Sequence, residues 1–240
     1  FHDVTGDHLA VGEASSMYLS SPYAMSNIYG FNRGARIIAM LRNPVDLVYS
    51  FHSQCLINLI EDERDFEAAW RLQQLREKGN RIPALCKYPE FIQYSKIGML
   101  GKQIERLLSY FHEEQVKIIF YEDFVRSPRQ VYSDVLSFLA VPDDGRLDFP
   151  RINANRIYRS RFIAQMRRGQ PWQRCARALK KMLGIREFAL LSRLNIKELP
   201  RKPLSPGFRA ELQDTFSEDI AKLSILINRD LSHWISGMQQ

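Results

Sequence analysis

The chain has 240 residues, of which 45% are hydrophobic and 25% are charged. These proportions are ordinary for a globular protein and exclude gross disorder. The length suits one large domain or two small ones. No run of about 18 apolar residues occurs, so no membrane span is predicted, and the N-terminal residues do not have the pattern of a signal peptide.

The net charge is +7, and the excess of basic residues is concentrated in one stretch. Residues 151–202 hold 15 basic residues and only two acidic ones. Such a local field attracts anions, for example phosphates, sulfates, nucleic acid or an acidic surface. Two interpretations stay open: a solvated helical face, which we favour, or a surface that recognises an anionic acceptor or contacts a membrane through Trp172 and its apolar neighbours.

Three cysteines, Cys55, Cys86 and Cys175, are widely spaced and show no spacing typical of a metal site. Their odd number and low density argue against a disulfide-stabilised fold and are typical of a reducing compartment. Together with the missing targeting signal, this predicts a cytoplasmic protein.

The hydrophobic pattern predicts elements in a strand–helix–strand–helix order. In chain order these are a short strand at 9–13, a helix at 21–31, a strand at 36–41, helices at 43–60, 64–77 and 91–111, a strand at 116–121, a helix at 129–139, mostly helical structure at 153–197, and a helix at 206–226. Residues 36–41 form a continuous apolar run, typical of a strand buried on both faces of a parallel sheet. The order predicts a single α/β domain over residues 1–240, with a central parallel sheet flanked by helices.

Arg42 follows the strand at 36–41 and directly precedes a helix. Asn43 is a suitable cap for that helix, and Pro44 suits its first position. Ligands of open α/β sheets bind at this edge, and a helix N-terminus favours anions. Ser50 follows about two turns later, so an arginine fork and a serine hydroxyl could contact one phosphate. The alternative is that Arg42 only precedes a capped helix and that Ser50 is an ordinary hydroxyl.

The run at 41–50 (L-R-N-P-V-D-L-V-Y-S) resembles the 3′-phosphate-binding motif of the sulfotransferases that use 3′-phosphoadenosine 5′-phosphosulfate (PAPS). Further resemblances follow in the order typical of the family: the lead-in at 12–19 (G-E-A-S-S-M-Y-L) with S-P at 21–22, F-Y-E-D-F at 120–124 with Pro128, and N-R-D-L-S-H-W at 228–234. The resemblance covers nearly the whole chain and is strongest to bacterial and heparan-sulfate-type members.

The resemblance implies the P-loop-like sulfotransferase fold and a reaction. A sulfuryl group passes from PAPS to a hydroxyl or amine of a carbohydrate or small natural product, and 3′-phosphoadenosine 5′-phosphate (PAP) is released. Catalysis rests on positioning and on cations, and no metal is required. The resemblance implies 3′-phosphate contacts from Arg42 and Ser50, with Arg201 and Lys202 as further candidates in the loop before the last long helix and Lys197 as a weaker one. No nucleic-acid partner is expected, since no RNA or DNA motif occurs.

One part of the family pattern is missing. Relatives carry a K-x-G-T-[ST]-like phosphate loop after their first strand, and the 240 residues hold no such run. We therefore expect the first strand, this loop and the catalytic base to precede Phe1, which leaves the catalytic residues unassigned. Glu13 and His52 are weak candidates for a base, and the simpler interpretation of both is structural. Two alternatives stay open: a catalytically inactive relative, or a basic protein that binds polyanions or nucleic acid.

Overall fold

The structure is a computed structural model that describes residues 5–150, 156–158, 160, 196–198 and 201–236. The described strands are β1 (Ile37–Leu41), β2 (Val116–Phe120), β3 (Arg156–Tyr158) and β4 (Ile196–Glu198). The described α-helices are α1 (Ala24–Phe31), α2 (Pro44–Ile57), α3 (Phe66–Arg71), α4 (Gln73–Glu77), α5 (Tyr94–Gly98), α6 (Leu100–Leu108), α7 (Tyr121–Arg126), α8 (Pro128–Leu139), α9 (Pro206–Leu226) and α10 (His233–Ser236). Two short 3-10 helices span Pro89–Ile92 and Glu113–Gln115.

Strands β1 and β2 pair in parallel, as predicted, and Leu41 lies opposite Phe120. The expectation that β1 is buried on both faces is wrong for the described residues. Ala39 and Leu41 are 6% and 1% exposed, whereas Ile38 and Met40 are 41% and 53% exposed. Because successive side chains of a strand point to opposite faces, only one face of β1 packs against described residues.

The predicted helical region at 153–197 lies largely outside the described residues. The parts of it that are described include β3 and the first residues of β4, and these two strands pair antiparallel. The predicted strand at 9–13 is also wrong, because these residues adopt no regular structure and no described strand pairs with them.

Two predicted long helices are each divided, and a third ends early. The helix predicted at 64–77 is α3 followed by α4, and the one predicted at 91–111 is α5 followed by α6. Helix α6 begins as a separate helix because its first N–H groups have a side-chain partner. The Asp219 carboxylate accepts hydrogen bonds from the backbone N–H groups of Gly101 and Lys102, at 2.6 and 3.0 Å. Helix α2 stops at Ile57 because Leu59 adopts the left-handed conformation, with φ of 58°.

Tertiary contacts divide the chain into two compact units. The first unit comprises residues 1–47, 96–150 and 210–240. Its buried side chains come from both strands of the parallel sheet, from α6, and from the C-terminal helices α9 and α10, and they include Leu41, Leu107, Phe120, Phe216 and Trp234. The single domain predicted from the sequence stays a prediction.

The second unit comprises residues 48–95 and 151–209. Its described core is an aromatic cluster around Phe66. The Phe66 ring lies edge-on to Tyr94 and Phe208, with centroid distances of 5.5 and 5.7 Å, and is stacked on Tyr49 at 5.2 Å. Such aromatic pairs add about 0.5–1.5 kcal/mol each beyond the area that they bury. None of the helices described in either unit is long and apolar enough to cross a membrane.

Candidate functional site

Arg42 is the first residue after β1 and belongs to the first unit. Because β1 and β2 are parallel and in register at Leu41 and Phe120, the next residues, Arg42 and Tyr121, leave the sheet at the same edge. The Arg42 guanidinium lies over the Tyr121 ring, 4.6 Å from its centroid. A cation–π contact of this kind contributes about 0.5–1 kcal/mol at a partly exposed site. It holds the cation at the carboxyl edge of the sheet, where anionic ligands of α/β proteins bind.

Trp234 connects the two strand ends of the first unit. Asn43 and Glu122 each lie two residues beyond the end of their strand. Asn43 Nδ2 donates to the backbone oxygen of Trp234 at 3.2 Å, and Trp234 Nε1 donates to Glu122 Oε1 at 3.1 Å. Asn43 Oδ1 also accepts from the Val45 N–H at 3.0 Å, which caps the first turn of α2. Trp234 therefore links the side chains of the residues that follow Arg42 and Tyr121.

The acidic pair after β2 has structural partners. Arg229 donates two hydrogen bonds to the Asp123 carboxylate, at 2.5 and 3.0 Å. These bonds hold the pKa of Asp123 below its usual value. The Arg229 guanidinium also lies over the Phe120 ring, 3.9 Å from its centroid. The C-terminal segment of the first unit is thus attached to the carboxyl edge of β2.

Ser50 and Arg201 are in direct contact within the second unit. Arg201 Nη2 donates to Ser50 Oγ at 2.9 Å, and Arg201 Nε donates to Ser53 Oγ at 3.1 Å. Residues three apart lie on one face of a helix, so one guanidinium reaches both hydroxyls on α2. Two of the predicted site residues are therefore brought together, and a positive charge lies next to the Ser50 hydroxyl.

Lys202 is held by its backbone. Tyr49 donates its phenolic hydrogen to the Lys202 carbonyl oxygen at 2.6 Å, while the Lys202 side chain is exposed. Burial raises the pKa of Tyr49, although the Arg201 charge opposes this effect. The hydroxyl therefore stays protonated at neutral pH and serves as a donor. Tyr49 and Ser53 were not expected in the site, but the hydroxyl spacing of Ser50 and Ser53 was a usable signal.

The two weak candidates for a base lie in different surroundings. Glu13 is exposed in the first unit and accepts a hydrogen bond from the Tyr18 hydroxyl. His52 is 1% exposed in the second unit, and its Nε2 lies 2.9 Å from the Glu63 carbonyl oxygen. Burial lowers the pKa of His52, although that hydrogen bond opposes the effect. A neutral ring enclosed by aromatic neighbours is suited to packing rather than to proton transfer with an acceptor.

Glu61, four residues after the end of α2, forms a buried ion pair with Arg76 that was not predicted from the sequence. Glu61 accepts from Arg76 Nη1 and Nη2 at 2.6 and 2.7 Å and from the Tyr94 hydroxyl at 2.6 Å. The side chains of the ion pair are both 0% exposed. This network fixes the chain immediately after α2 in the second unit.

The structure describes only a small part of the basic stretch at 151–202, on which two further predictions were made. Lys197 lies on β4 and is exposed. Most of the other basic residues between 151 and 200 fall outside the described residues, so the choice between a solvated face and an acceptor surface stays open. In the parts of the chain that are described, no group of three or more His, Cys, Asp or Glu side chains could hold a metal ion.

The parallel strands, their flanking helices and the cation at the sheet edge define an α/β protein of the class that binds ligands at the carboxyl ends of its strands. The sulfotransferase domain family matches residues 8–223 of this chain. A crystal structure of a sulfotransferase from Alicyclobacillus acidocaldarius is similar to it, with a TM-score of 0.67 and 28% identity, covering 98% of this chain and 70% of that one. No curated protein matches the present chain significantly.

The chain belongs to the sulfotransferase domain family, because the match spans most of its length. The predicted family and the predicted P-loop-like α/β fold are confirmed. Membership supports sulfotransfer as the general activity.

Proposed function

We propose that this protein transfers a sulfuryl group from PAPS to a hydroxyl or amine of a carbohydrate or small natural product in the cytoplasm. In this proposal Arg42, Ser50, Arg201 and Lys202 contact the 3′-phosphate, which distinguishes PAPS and PAP from ordinary adenine nucleotides. Family membership supports sulfotransfer, and the donor, the acceptor class and these contacts are the parts that we add.

The hydrogen bond between Arg201 and Ser50 carries the proposal. Ser50 Oγ accepts from Arg201 Nη2 at 2.9 Å, and a hydroxyl that accepts a hydrogen bond keeps its own hydrogen to donate. A phosphate oxygen next to Ser50 would meet this hydrogen and the guanidinium charge together. Hydrogen bonds between charged groups are roughly twice as strong as neutral ones, so this pair suits a dianionic phosphate.

The position of Arg42 supports the same ligand in the first unit. Arg42 follows a parallel strand and precedes α2, a helix of 14 residues. The N-terminus of a helix carries unpaired N–H groups and a favourable dipole for an anion. The Tyr121 ring under its guanidinium restricts the side chain, which lowers the entropic cost of binding.

In the proposed reaction, the bonds that form and break are at the sulfur atom of PAPS, and the 3′-phosphate contacts take no direct part in them. The acceptor oxygen or nitrogen attacks sulfur, the bond from sulfur to the phosphate oxygen breaks, PAP leaves, and the acceptor proton passes to a base. The proposed residues hold the donor in line for this attack and contribute by positioning. No residue of this chain is assigned as the base, since Glu13 and His52 remain weak candidates.

PAP binding tests the site. Titration calorimetry should compare PAP with adenosine 5′-phosphate, which lacks the 3′-phosphate, for the wild type, Arg42→Ala and Ser50→Ala. We expect the wild type to prefer PAP, and Arg42→Ala to lose about 1.5–3 kcal/mol of PAP affinity, typical of a hydrogen bond to a charged group. Affinity for adenosine 5′-phosphate should change little in the same variants.

An exposed arginine of the first unit gives a charge-matched control. Arg33 lies in a turn over the Tyr29 ring, and Arg33→Ala removes the same charge without touching the proposed contacts. Equal PAP affinity in the wild type and Arg42→Ala would overturn the assignment of Arg42.

The basic stretch at 151–202 favours one other candidate, a polyanion-binding protein without sulfotransfer. That candidate predicts binding to heparin or nucleic acid with a steep salt dependence, and no affinity for PAP. Tight PAP binding together with weak polyanion binding at physiological salt would exclude it.

A further inference from the structure

The segment of Arg201 and Lys202, here called the 201–202 segment, is attached to α2 at three points. Arg201 donates to Ser50 and Ser53, at 2.9 and 3.1 Å, and Tyr49 donates to the Lys202 carbonyl at 2.6 Å. All five residues belong to the second unit. The attachment therefore links one turn of a helix to a loop that carries two adjacent cations.

The two serines differ in what their hydroxyls can still do. Ser53 Oγ donates to the Tyr49 carbonyl at 3.3 Å, four residues back on α2, and accepts from Arg201 Nε. Its hydrogen is thereby engaged within the helix. Ser50 accepts from Arg201 and keeps its hydrogen for another acceptor. Ser53 is thus suited to holding Arg201, whereas Ser50 is suited to contacting a ligand.

Tyr49 is itself held in place. Its ring is stacked on Phe66, with centroids 5.2 Å apart and an interplanar angle of 20°. Phe66 in turn lies edge-on to Phe208 at the start of α9, which follows the 201–202 segment. The phenol therefore reaches the Lys202 carbonyl from a rigid aromatic cluster. A hydrogen bond from a restrained donor costs little side-chain entropy.

We propose that Tyr49 and Ser53 are positioning residues for the 3′-phosphate subsite, which they act on by fixing the 201–202 segment against α2. Ser53 and Ser50 together set the plane of the Arg201 guanidinium, and Tyr49 sets the backbone of Lys202. Neither Tyr49 nor Ser53 contacts the ligand. The inference rests on the proposed function, because it assumes that Ser50 and Arg201 bind the 3′-phosphate.

This arrangement predicts a selective loss of affinity. Tyr49→Phe removes one hydroxyl and keeps the ring on Phe66, and Ser53→Ala removes the acceptor for Arg201 Nε. Each should weaken PAP binding about 2- to 10-fold, typical of one lost hydrogen bond. Binding of adenosine 5′-phosphate should be unchanged, because this ligand has no group at the subsite. Ser53→Thr restores the hydroxyl and should restore PAP affinity.

Double variants show whether Tyr49 and Ser53 influence PAP affinity through Arg201 and Lys202. If Tyr49 and Ser53 act by holding Arg201 and Lys202, then Ser53→Ala should have little further effect once Arg201→Ala is present. Tyr88→Phe and Ser217→Ala are matched controls, since Tyr88 is 61% exposed and Ser217 is a helical serine that donates to the Asp214 carbonyl. Both controls should bind PAP as the wild type does.

Calorimetry with PAP and with adenosine 5′-phosphate, alongside the urea midpoint of each variant, separates the outcomes. If Arg42→Ala and Ser50→Ala keep the wild-type preference for PAP, the proposed function fails and the inference falls with it. If those two lose the preference while Tyr49→Phe and Ser53→Ala match the controls, only the positioning role is overturned. An equal loss for both nucleotides would also overturn it, because that result indicates a general structural role.

Discussion

Replacing Arg76 with methionine should destabilise this protein severely. Arg76 and Glu61 have side chains that are 0% exposed and share two short hydrogen bonds, at 2.6 and 2.7 Å. Two unit charges about 4 Å apart interact by about 4 kcal/mol at an effective dielectric constant of about 20. Removing one partner of a buried pair costs about 3–5 kcal/mol, because the other charge is left uncompensated. We expect a loss of this size at pH 7 in Arg76→Met.

A second substitution tests the cause. Adding Glu61→Gln to Arg76→Met removes the isolated buried charge, while the amide oxygen can still accept from the Asp62 and Glu63 N–H groups and the amide NH2 can donate to the Tyr94 hydroxyl oxygen. The double variant should therefore be more stable than Arg76→Met alone. Arg71→Met is the matched control, since Arg71 pairs with Glu67 on the surface and both side chains are about half exposed. Exposed pairs contribute about 0–1 kcal/mol.

The pH dependence follows from the pKa of Glu61. Burial alone would raise this pKa, but the hydrogen bonds from Arg76, Tyr94 and the Glu63 N–H outweigh it and hold the pKa below its usual value. The wild type therefore keeps this stabilisation above about pH 4.3 and loses it as the pH falls through the lowered pKa. In Arg76→Met we expect the burial effect to prevail over the remaining hydrogen bonds, so that the Glu61 pKa is raised and the energetic penalty shrinks as the pH falls.

Urea unfolding followed by tryptophan fluorescence at pH 7 and pH 5 measures these differences. The free-energy gap between wild type and Arg76→Met should narrow at pH 5. A cost below about 1 kcal/mol at pH 7, equal to that of an exposed pair, would refute the argument. So would a double variant less stable than the single one.

Two further predictions concern packing and a buried histidine. Gly101→Ala should destabilise the first unit by about 1–3 kcal/mol in urea unfolding, because a Cβ there would clash with the backbone carbonyl of Asp219. Gly30→Ala, where a Cβ meets no atom within 4 Å, should be neutral or stabilising by up to about 1 kcal/mol; equal effects at both sites would contradict this. Burial lowers the pKa of His52, so the unfolded chain binds more protons and stability should fall as the pH drops below about 6.5. His52→Gln should lose that part of the pH dependence between pH 7 and 5.5, and an unchanged slope would show that His52 does not cause it.

Several elements of the fold could be predicted because apolar runs, helix caps and helical periodicity involve residues that are close together in the sequence. The apolar run before Arg42 and the Asn43-Pro44 pair placed β1 and the start of α2 correctly, and α9 was predicted at its observed bounds. The break between α5 and α6 was missed because its cause is distant in the sequence. The Asp219 carboxylate that starts α6 lies on α9, more than 100 residues away.

The candidate site also has features that depend on neighbouring residues and features that depend on tertiary packing. The sequence by itself determined the family, the parallel sheet and the pattern that singles out Arg42 and Ser50, since a strand end, a helix cap and a residue spacing are properties of neighbouring residues. Only the tertiary structure decided that Tyr49 and Ser53 hold the 201–202 segment and that Glu61 is paired with Arg76. Hydrogen-bond partners of this kind are set by where distant parts of the chain pack, and no periodicity in the sequence records them.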